Sequence, residues 1–357
     1  MKIIYVFDSQ YYWRNGCWLY RNHFPSKALK ARGHKVQLVI LGTELPEQSV
    51  LDFPDTVVFS RTYTLDPIPL MRKYKQMGKK VVYEVDDDLW NVNKDNPSAN
   101  IATDMKEQYE TMISEADMIT TTTPYLAKLL RTKNKNVAVC PNAIDFDLFE
   151  ERAHRDDELK ICYSGAASHW DDLILVSEAI IELQKKHKFL FVLMGMTGSP
   201  LPSDLWEYKQ MLRMGLQPER RKYFEKAIKW AESFRGINWQ HEPFWSPMLY
   251  PDRLKQIDFD IGITPLHDNT FNRSKSCIKF YEYAAIGAAT LSSNVLPYKA
   301  ENRYTAKNTT KDWYKKLERL IVDEDFRGKL AKKQQDWVKK NRDLRQVAIL
   351  WEKALRP

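Results

Sequence analysis

Two successive series of short β-rich runs divide this chain of 357 residues, and they constrain its fold more than any other feature. In both series, helical-looking segments separate most of the runs. Strands that alternate with helices in this way form parallel sheets. We therefore predict an α/β protein with two doubly wound, Rossmann-like domains in tandem. The runs of the first series are 2–7, 35–41, 55–60, 80–85, 116–123 and 137–140, and those of the second are 159–164, 189–195, 237–240, 259–266 and 289–293.

A polar, turn-prone segment at 141–158 separates the two series and is predicted to be the hinge between the domains. We expect the first domain to span residues 1–150 and the second to span 151–335. Within the second domain, residues from about 204 to 234 are predicted to form an inserted helical hairpin. From about residue 309 onward the sequence is predicted to be helical throughout.

The composition is that of a folded protein, with 43% hydrophobic and 12% aromatic residues. No stretch approaches the roughly 20 apolar residues needed to cross a bilayer. The start, MKIIYVFDSQ, reads as a first strand rather than as a signal peptide. The four cysteines form no C-x-x-C pair, so neither a zinc site nor a disulfide framework is predicted. We expect a cytoplasmic protein with buried, reduced thiols and no transmembrane segment.

The net charge of +8 and the isoelectric point near 9.0 favour a polyanionic partner, because surplus Lys and Arg attract phosphates through solution. Much of the surplus lies in two stretches, 219–230 and the tail from about Lys311 onward. The alternative is that each stretch is simply the solvated face of a charged helix.

Two doubly wound domains in tandem leave a cleft between the carboxyl ends of their strands, which is where open α/β sheets bind ligands. Gly16 follows the first strand of the first domain, and Gly165 and Ser168 follow the first strand of the second. At both places backbone N–H groups at the start of a helix can hold phosphate. Neither place matches G-x-G-x-x-G or the P-loop pattern, so ordinary turn glycines remain the alternative.

The most informative segment is 265–293, where a strand, a polar loop with three cations, a helix and a second strand follow one another. Cations just ahead of a helix N-terminus suit a diphosphate, and a glutamate inside that helix can accept hydrogen bonds from ribose hydroxyls. We predict a clamp for a nucleotide diphosphate. The alternative is that the lysines are surface residues and the glutamate caps local structure. The predicted donor-binding residues here are Arg273, Lys275, Ser276, Lys279 and Glu282.

The segment KSCIKFYEYAAIGAATLSS (275–293) resembles the donor-binding loop and helix of GT-B glycosyltransferases, especially the GT4-like group. PNAIDFDLF (141–149) is similar to the hinge signature of that group, and TTTTPYLAKLL (120–130) to another of its elements. The resemblance implies an N-terminal acceptor domain, a C-terminal domain that binds a nucleotide-diphosphate sugar, expected to be a UDP-sugar, and a final helix at 336–357 that crosses back to the first domain.

The sequence also departs from the family pattern. In the E-x7-E form of the donor motif, the first glutamate falls at Ser274, so its contact to the sugar is missing or is supplied by Asn272 or Asp268. The Arg and Lys that the group usually places after the first strand of the second domain are not evident. Phosphate neutralisation is therefore assigned to the cations of 273–279, and an inactive sugar-nucleotide-binding protein remains an alternative.

Three consecutive carboxylates, Asp86, Asp87 and Asp88, follow the fourth strand, where relatives often carry a histidine that faces the donor sugar. Because like charges repel, they are either solvated or meet a partner. We predict that at least one faces the transferred sugar or the acceptor hydroxyl, where it accepts a proton or stabilises an oxocarbenium-like sugar. A second is expected to cap a helix that begins near Leu89.

The same aspartates contain D-x-D, the motif with which GT-A glycosyltransferases bind a divalent metal. The tandem second sheet and the lysine-bearing loop favour the GT-B alternative, in which a basic clamp replaces the metal. We therefore predict a metal-independent enzyme without a cofactor other than its nucleotide-sugar co-substrate.

Three further residues are candidates for the donor site. His169 is expected either to donate a hydrogen bond to phosphate or to be structural. Glu242 and Phe244 follow a strand of the second domain where the family contacts the nucleotide base, and an aromatic ring there stacks on the base or fills the core. We assign the neighbouring Trp245 to the core.

The acceptor is predicted to be a hydroxymethylated pyrimidine in double-stranded DNA, because the chain is basic and EVDDDLWN is a form associated with glycosyltransferases of viral and mobile-element type. In that case the protein works in the host cytoplasm. The alternative is a cell-surface polysaccharide or lipid-linked glycan, with peripheral contact to an anionic membrane. The sequence leaves open the sugar, the nucleotide base, retention or inversion at the anomeric carbon, and the oligomeric state.

Overall fold

Each β-rich run predicted from the sequence contains a strand in the computed structural model, which describes residues 1–7, 16–42, 46–60, 65–92, 104–152, 158–166, 169–195, 205–213, 218–243 and 246–357. The strands form two six-stranded sheets in which every pairing is parallel. This confirms the prediction of two Rossmann-like α/β domains.

The first sheet has the strand order β2-β1-β3-β4-β5-β6. Its central strands are short β-branched runs buried on both faces, as expected for a parallel sheet covered by helices. The strands are β1 (Lys2–Phe7), β2 (Lys35–Ile40), β3 (Thr56–Phe59), β4 (Lys80–Val85), β5 (Met118–Thr121) and β6 (Val137–Val139).

The second sheet has the order β12-β11-β10-β7-β8-β9. Its edge strand β12 covers two residues and was missed in the sequence, because a pair of residues carries no periodicity to detect. The strands are β7 (Lys160–Gly165), β8 (Leu190–Gly195), β9 (Trp239–Glu242), β10 (Ile261–Thr264), β11 (Ala289–Ser293) and β12 (Thr305–Ala306).

The helices of the first domain begin with a short segment, α1 (Gly16–Trp18), which continues through a π-helical turn (Leu19–His23) into α2 (Phe24–Ala31). We call Leu19–His23 the π turn. A π-helical turn was not predicted, and such turns occur frequently at functional sites. The remaining helices of this domain are α3 (Gln48–Asp52), α4 (Ile68–Gln76), α5 (Lys106–Glu115) and α6 (Pro124–Leu130).

The second domain contains two helices in the predicted insertion, and the later one packs on the first helix of the domain. Its helices are α7 (Trp170–Gln184), α8 (Leu205–Arg213), α9 (Pro218–Ser233), α10 (Tyr250–Ile257), α11 (Thr270–Ser274), α12 (Ile278–Ala285), α13 (Tyr298–Glu301), α14 (Thr310–Val322), α15 (Glu324–Arg342) and α16 (Leu344–Leu355). Within the described residues, no helix combines the length and apolar character needed to span a membrane.

The final helix returns to the first domain. Asp343 separates α15 from α16 and bridges Ile144 of the hinge segment. Helix α16 then packs on α2, and the hydroxyl of Thr56 in β3 donates to the carbonyl of Leu355 at 2.8 Å. One cluster of buried side chains runs from β1 through the hinge to α12 and α16, so the two domains share a continuous core.

Candidate functional site

The lysine-bearing loop of the second domain is shaped by two short helices. The side chain of Asn269 caps α11 by accepting from the Asn272 amide at 2.8 Å, and the chain becomes extended at Lys275 before α12 begins. The ammonium of Lys275 lies 4.5 Å from the centre of the Phe271 ring. Four residues later, the ammonium of Lys279 lies 5.8 Å from the centre of the Tyr163 ring, at the carboxyl end of β7. Lys279 therefore lies against the carboxyl end of β7, whereas Lys275 lies against its own loop.

Of the two lysines at this site, Lys279 is the one whose positive charge is not balanced by an ion pair within the described residues. Burial, followed by repulsion from Lys275, lowers the pKa of its ammonium to about 8. Among the residues that the structure describes, its Nζ atom has no hydrogen-bond or ion-pair partner. A half-buried cation in this state is stabilised by a bound anion, which supplies the missing opposite charge.

The three aspartates after β4 have different surroundings. Asp88 is fully buried, and its carboxylate accepts hydrogen bonds from the amides of Trp90 and Asn91 at 3.2 and 3.3 Å and from the Asn91 side chain at 2.8 Å. Burial raises the pKa of Asp88, although these hydrogen bonds oppose the shift. Asp86 and Asp87 are partly exposed. Asp88 is thus a structural residue, whereas Asp86 and Asp87 are the more exposed members of the triplet.

The helix predicted to begin near Leu89 is not present, because residues 89–92 form a turn. One aspartate was predicted to cap a helix. Asp88 does accept hydrogen bonds from backbone amides in the way a cap does, but those amides belong to a turn. Both of its carboxylate oxygens accept hydrogen bonds within this turn.

The aspartate-bearing strand end of the first domain and the lysine-bearing loop of the second domain contact each other directly. Lys275 Nζ lies 3.9 Å from the Asp87 carboxylate, and the hydroxyl of Ser274 lies 3.5 Å from the Asp88 carboxylate. Ser274 occupies the place of the first glutamate of the E-x7-E pattern. A glutamate there would set a second carboxylate against Asp88, so the departure from the pattern and the aspartate triplet are physically compatible.

His169 lies at the start of α7, beside the lysines. Its ring Nδ1 is 2.9 Å from the Asp172 carboxylate, whose other oxygen accepts from the His267 amide at 2.8 Å. Burial and the charges of Lys279 and Lys275 lower the pKa of His169 to about 4, so the ring is neutral near pH 7. A neutral ring that donates from Nδ1 to a carboxylate presents Nε2 as an acceptor.

Glycines close the strand ends of the second sheet. Gly165 and Gly195 pair in register at the ends of β7 and β8. A Cβ atom on Gly165 would lie 2.7 Å from the Tyr163 hydroxyl, and one on Gly195, whose φ is +83°, would lie 2.4 Å from the Gly165 carbonyl oxygen. Gly16 differs, because a Cβ atom there would only touch the Tyr20 ring at 3.9 Å. Packing therefore requires glycine at positions 165 and 195, whereas Gly16 lacks such a requirement.

Glu282 is buried in α12 and is held by two tyrosines that sequence reasoning missed. Tyr20, from the first domain, donates to Oε1 at 2.5 Å, and Tyr250, from α10, donates to Oε2 at 2.9 Å. Burial raises the pKa of Glu282 to about 7, with the two phenols and Lys279 acting in the opposite direction. Tyr20 is 262 positions from Glu282, so no local pattern could have joined them.

Ser276 is linked to the first domain through the hinge. Asn142 donates to the Ser276 hydroxyl at 2.8 Å and accepts from Arg21 at 2.9 Å. Arg21 is itself buried in an ion pair with Glu84 of β4, with Nε to Oε1 at 2.6 Å. The loop that carries the lysines is thereby tied to the strand that ends in the aspartates.

Two predicted donor residues are engaged elsewhere in the structure. The guanidinium of Arg273 pairs with Asp268 on the surface, at 2.6 Å. Glu242 is buried and pairs with Arg253, with Nε to Oε2 at 3.1 Å. The predictions for Ser168, Phe244 and Trp245 lie outside the described residues. Within the described part of the chain, His, Cys, Asp and Glu side chains form no group of three or more suited to a metal ion.

Comparisons with known proteins identify the architecture. The sequence matches no protein-family model and no curated protein. Among solved structures, the chain is similar to a glycosyltransferase from Rickettsia africae, with a TM-score of 0.63 and 12% identity over 99% of this chain and 98% of that one. HepE of Anabaena, solved with UDP and glucose, has a TM-score of 0.66 and 11% identity over 99% of both chains.

A third similar structure is an α-glucosyltransferase in complex with UDP and a 13-mer DNA. It has a TM-score of 0.56 and 13% identity over 98% of this chain and 99% of that one. At such identities the likeness establishes architecture and leaves the chemistry to the site. Two parallel six-stranded sheets and a C-terminal helix that returns to the first domain agree with these structures over nearly their whole lengths: the chain has the GT-B fold.

Proposed function

We propose that the protein is a glycosyltransferase that moves a sugar from a nucleotide-diphosphate sugar, expected to be a UDP-sugar, to a hydroxyl acceptor. One observation carries the proposal: the aspartates after β4 lie next to the lysine-bearing loop, with Asp87 3.9 Å from Lys275. Glycosyl transfer can use a cationic group at the departing diphosphate and a carboxylate near the anomeric carbon of the same donor, so the two kinds of group are expected side by side. HepE and the α-glucosyltransferase, which share this fold, were both solved with UDP.

On the donor side, Lys279 and Lys275 neutralise the diphosphate, and the N-terminus of α7 adds the partial positive charge of its backbone amides. These groups stabilise the charge that develops on the diphosphate when its bond to the anomeric carbon breaks. The bonding electrons leave with the nucleotide diphosphate. A lysine without a counterion is suited to this role because its charge is not already neutralised.

On the acceptor side, Asp86 or Asp87 accepts the proton of the acceptor hydroxyl as its oxygen forms the new bond to the anomeric carbon. The same carboxylates stabilise a positively charged, oxocarbenium-like sugar. Asp88 supports the turn that presents them. The anomeric configuration of the product distinguishes inversion from retention.

The transfer is proposed to be independent of metal ions, because two lysines supply the positive charge that a divalent cation supplies in GT-A enzymes. The engagement of Asp88 by Trp90 and Asn91 supports this. Activity that survives removal of Mg²⁺ and Mn²⁺ by a chelator is the expected result, and complete loss of activity contradicts it.

The acceptor is proposed to be a hydroxymethylated pyrimidine in DNA. The net charge of +8 favours a polyanion, and one similar structure contains DNA. The basic insertion lies beside the cleft, since Lys226 of α9 is 3.7 Å from Asp171 at the start of α7. Phosphate contacts along this side would hold a duplex while one base is turned out toward the aspartates.

A mass-spectrometric screen tests both the proposed transfer and the proposed acceptor. It combines donor nucleotide sugars with hydroxymethylated DNA, plain DNA and glycan or lipid-linked acceptors. We expect one hexose or pentose to be added to hydroxymethylated DNA alone, and about 100-fold or greater loss of rate in Asp86→Ala or Asp87→Ala. If the sugar is transferred to a glycan and not to DNA, the proposal of a DNA acceptor is wrong, although the protein is still a glycosyltransferase. UDP binding without transfer or hydrolysis would identify a binding protein instead of an enzyme.

A gel-shift titration tests the acceptor separately. We expect duplex binding that weakens as salt rises, because phosphate contacts release counterions. Absence of duplex binding at low salt contradicts a DNA acceptor.

A further inference from the structure

Tyr20 makes the one hydrogen bond that joins the first domain to Glu282 among the described residues. Its hydroxyl lies 2.5 Å from Oε1, and both residues are buried. Tyr250 makes the equivalent bond to Oε2 from within the second domain, and its hydroxyl oxygen accepts from the Ser164 hydroxyl at 3.0 Å. One carboxylate is therefore held from two domains by the same chemical group.

The position of Tyr20 is fixed by its neighbours in the π turn. Arg21, the next residue, is anchored by Glu84 at 2.6 Å and by the Cys140 carbonyl at 2.7 Å, and its guanidinium stacks on the Trp351 ring at 4.7 Å. The Tyr20 ring packs edge-on against Phe24 at 5.3 Å. Within this turn, Arg21 is bound to the first domain, and the preceding residue, Tyr20, contacts Glu282 of the second domain. The contacts of Arg21 therefore fix the backbone that carries Tyr20.

The Glu282 carboxylate retains capacity for a further ligand. An ionised carboxylate has about four acceptor positions, and the two phenols occupy one on each oxygen. Two acceptor positions therefore have no phenol partner, and we expect ribose hydroxyls to use them. The tyrosines orient the carboxylate by holding one position on each oxygen.

We propose that Tyr20 is a positioning residue for the donor nucleotide, which fixes the Glu282 carboxylate from the opposite domain when the cleft is closed. This inference rests on the proposed function, because Glu282 has a donor role only if the second domain binds a nucleotide. It makes closure of the cleft a condition for full ordering of the ribose site.

Protonation gives this arrangement a measurable signature. With a pKa of about 7, Glu282 loses its charge as the pH falls below neutrality. Hydrogen bonds donated to a carboxylate favour its charged form, so removal of the Tyr20 hydroxyl raises the pKa further. UDP binding by Tyr20→Phe should therefore require a higher pH than binding by the native protein. The groups that act on Glu282 are Tyr20, Tyr250 and Lys279, and it acts in turn on Tyr283 and Tyr298.

Titration calorimetry of UDP from about pH 6 to about pH 9 tests the proposal, with native protein, Tyr20→Phe and Tyr250→Phe. Both substitutions keep the aromatic ring and remove one hydrogen bond to the same carboxylate. For Tyr20→Phe we expect affinity about tenfold weaker near neutral pH and a midpoint shifted to higher pH. Native affinity with a native pH profile, or tighter binding, overturns the proposal.

Small-angle X-ray scattering of the UDP-bound proteins separates the two tyrosines. The radius of gyration should be larger for Tyr20→Phe than for native protein, because the bond across the cleft is lost. Tyr250→Phe, whose bond lies within one domain, should match the native value. Equal expansion in both variants shows that the charge of Glu282 and not the cross-domain bond controls closure, and overturns the proposal.

Lys279→Met distinguishes failure of this inference from failure of the proposed function. If Lys279→Met loses UDP binding and Tyr20→Phe behaves as native, the donor site stands and the role of Tyr20 falls. If Lys279→Met binds UDP as native protein does, the donor site itself is misplaced, and both proposals fall.

Discussion

At the scale of single residues, Lys279 lowers the stability of the folded protein while it is expected to favour nucleotide binding. The Lys279 ammonium is half-buried beside Lys275, and its pKa falls from 10.5 to about 8. In the folded protein the charged form is therefore penalised at every pH below about 8. The penalty disappears between pH 8 and 10.5, where the folded state has already lost the proton that the unfolded chain retains. Residues at functional sites commonly carry such a cost.

Lys279→Met is expected to stabilise the protein and to weaken nucleotide binding. At pH 7 the free energy of unfolding should rise by up to about 3 kcal/mol, and the gain should shrink as the pH rises from about 8 to 10.5. UDP affinity should fall tenfold or more. Urea denaturation and calorimetry measure the two effects. Lys299→Met, at an exposed position of the same domain, should leave both quantities nearly unchanged. Loss of stability in Lys279→Met, with UDP affinity intact, contradicts this account.

Asp87 and Asp88 provide a second test at this scale, because Asp88 is buried and Asp87 is partly exposed. Asp88→Ala removes a buried carboxylate that accepts from the amides of Trp90 and Asn91, and it should cost about 1–3 kcal/mol of unfolding free energy. Asp87→Ala should change stability by less than about 1 kcal/mol, since it removes a partly exposed ion pair with Lys275. Urea denaturation of both variants checks this, and equal destabilisation would show that Asp87 is structural as well.

The site residues differ in how far the sequence could reveal them. Lys275, Lys279 and Glu282 lie in one loop-and-helix segment between β10 and β11, so their spacing alone suggested a diphosphate clamp. Tyr20 and Arg21 act on partners 262 and 63 positions away. Their roles depend on how two domains meet, which local pattern does not encode. The pairing of Arg273 with Asp268 was also not anticipated, although both lie in one loop.

At the scale of elements, the strand ends of the second sheet depend on glycine. Gly165 and Gly195 lie side by side where β7 and β8 end, and each leaves no room for a Cβ atom. This close approach brings the carboxyl ends of β7 and β8 together beside the expected phosphate site.

Gly195→Ala tests how much the close approach of Gly195 to Gly165 costs in addition to the strain of a positive φ. Its Cβ atom would meet the backbone oxygen of Gly165 at 2.4 Å, so we expect a loss of more than about 2 kcal/mol. Gly236→Ala is the matched control, because its φ is +93° and nothing lies within 4 Å of the added atom. It should cost about 1 kcal/mol. Thermal or urea denaturation gives both values, and equal costs would show that the strand ends separate readily.

The elements themselves were largely predictable. Runs such as TVVF in β3 and KVVYEV in β4 are β-branched and buried, and they identified the strands. The helix predicted near Leu89 was wrong, because Asp88 caps a turn there. The π turn was not predicted, because its hydrogen-bond pattern has no distinct sequence signal.

At the scale of the whole molecule, the return of the last helix joins the two domains. Trp351 of α16 is fully buried, lies 6.5 Å from the Tyr5 ring of β1 and stacks on Arg21. The helix was expected from a family resemblance, whereas its contact with the Arg21–Glu84 pair follows only from the three-dimensional arrangement. This contact supports the π turn that carries Tyr20.

Trp351→Ala should therefore destabilise the protein by about 3–5 kcal/mol through loss of buried surface and a cavity beside β1. Ile349→Ala in the same helix is the control: Ile349 is 54% exposed, and its loss should cost less than about 1 kcal/mol. Urea denaturation measures both. A small effect of Trp351→Ala would mean that α16 is not required for the folded first domain.

The central claim is that Lys279 and Lys275 bind the diphosphate of a donor whose sugar lies next to Asp86 and Asp87. A crystal structure of the protein with bound UDP tests it most directly. The account predicts a diphosphate oxygen within hydrogen-bond distance of Lys279 Nζ, phosphate at the start of α7, and ribose hydroxyls on the Glu282 carboxylate. A nucleotide bound away from Lys279, with the carboxylates of Asp86 and Asp87 facing no part of the cleft that holds it, would contradict the account.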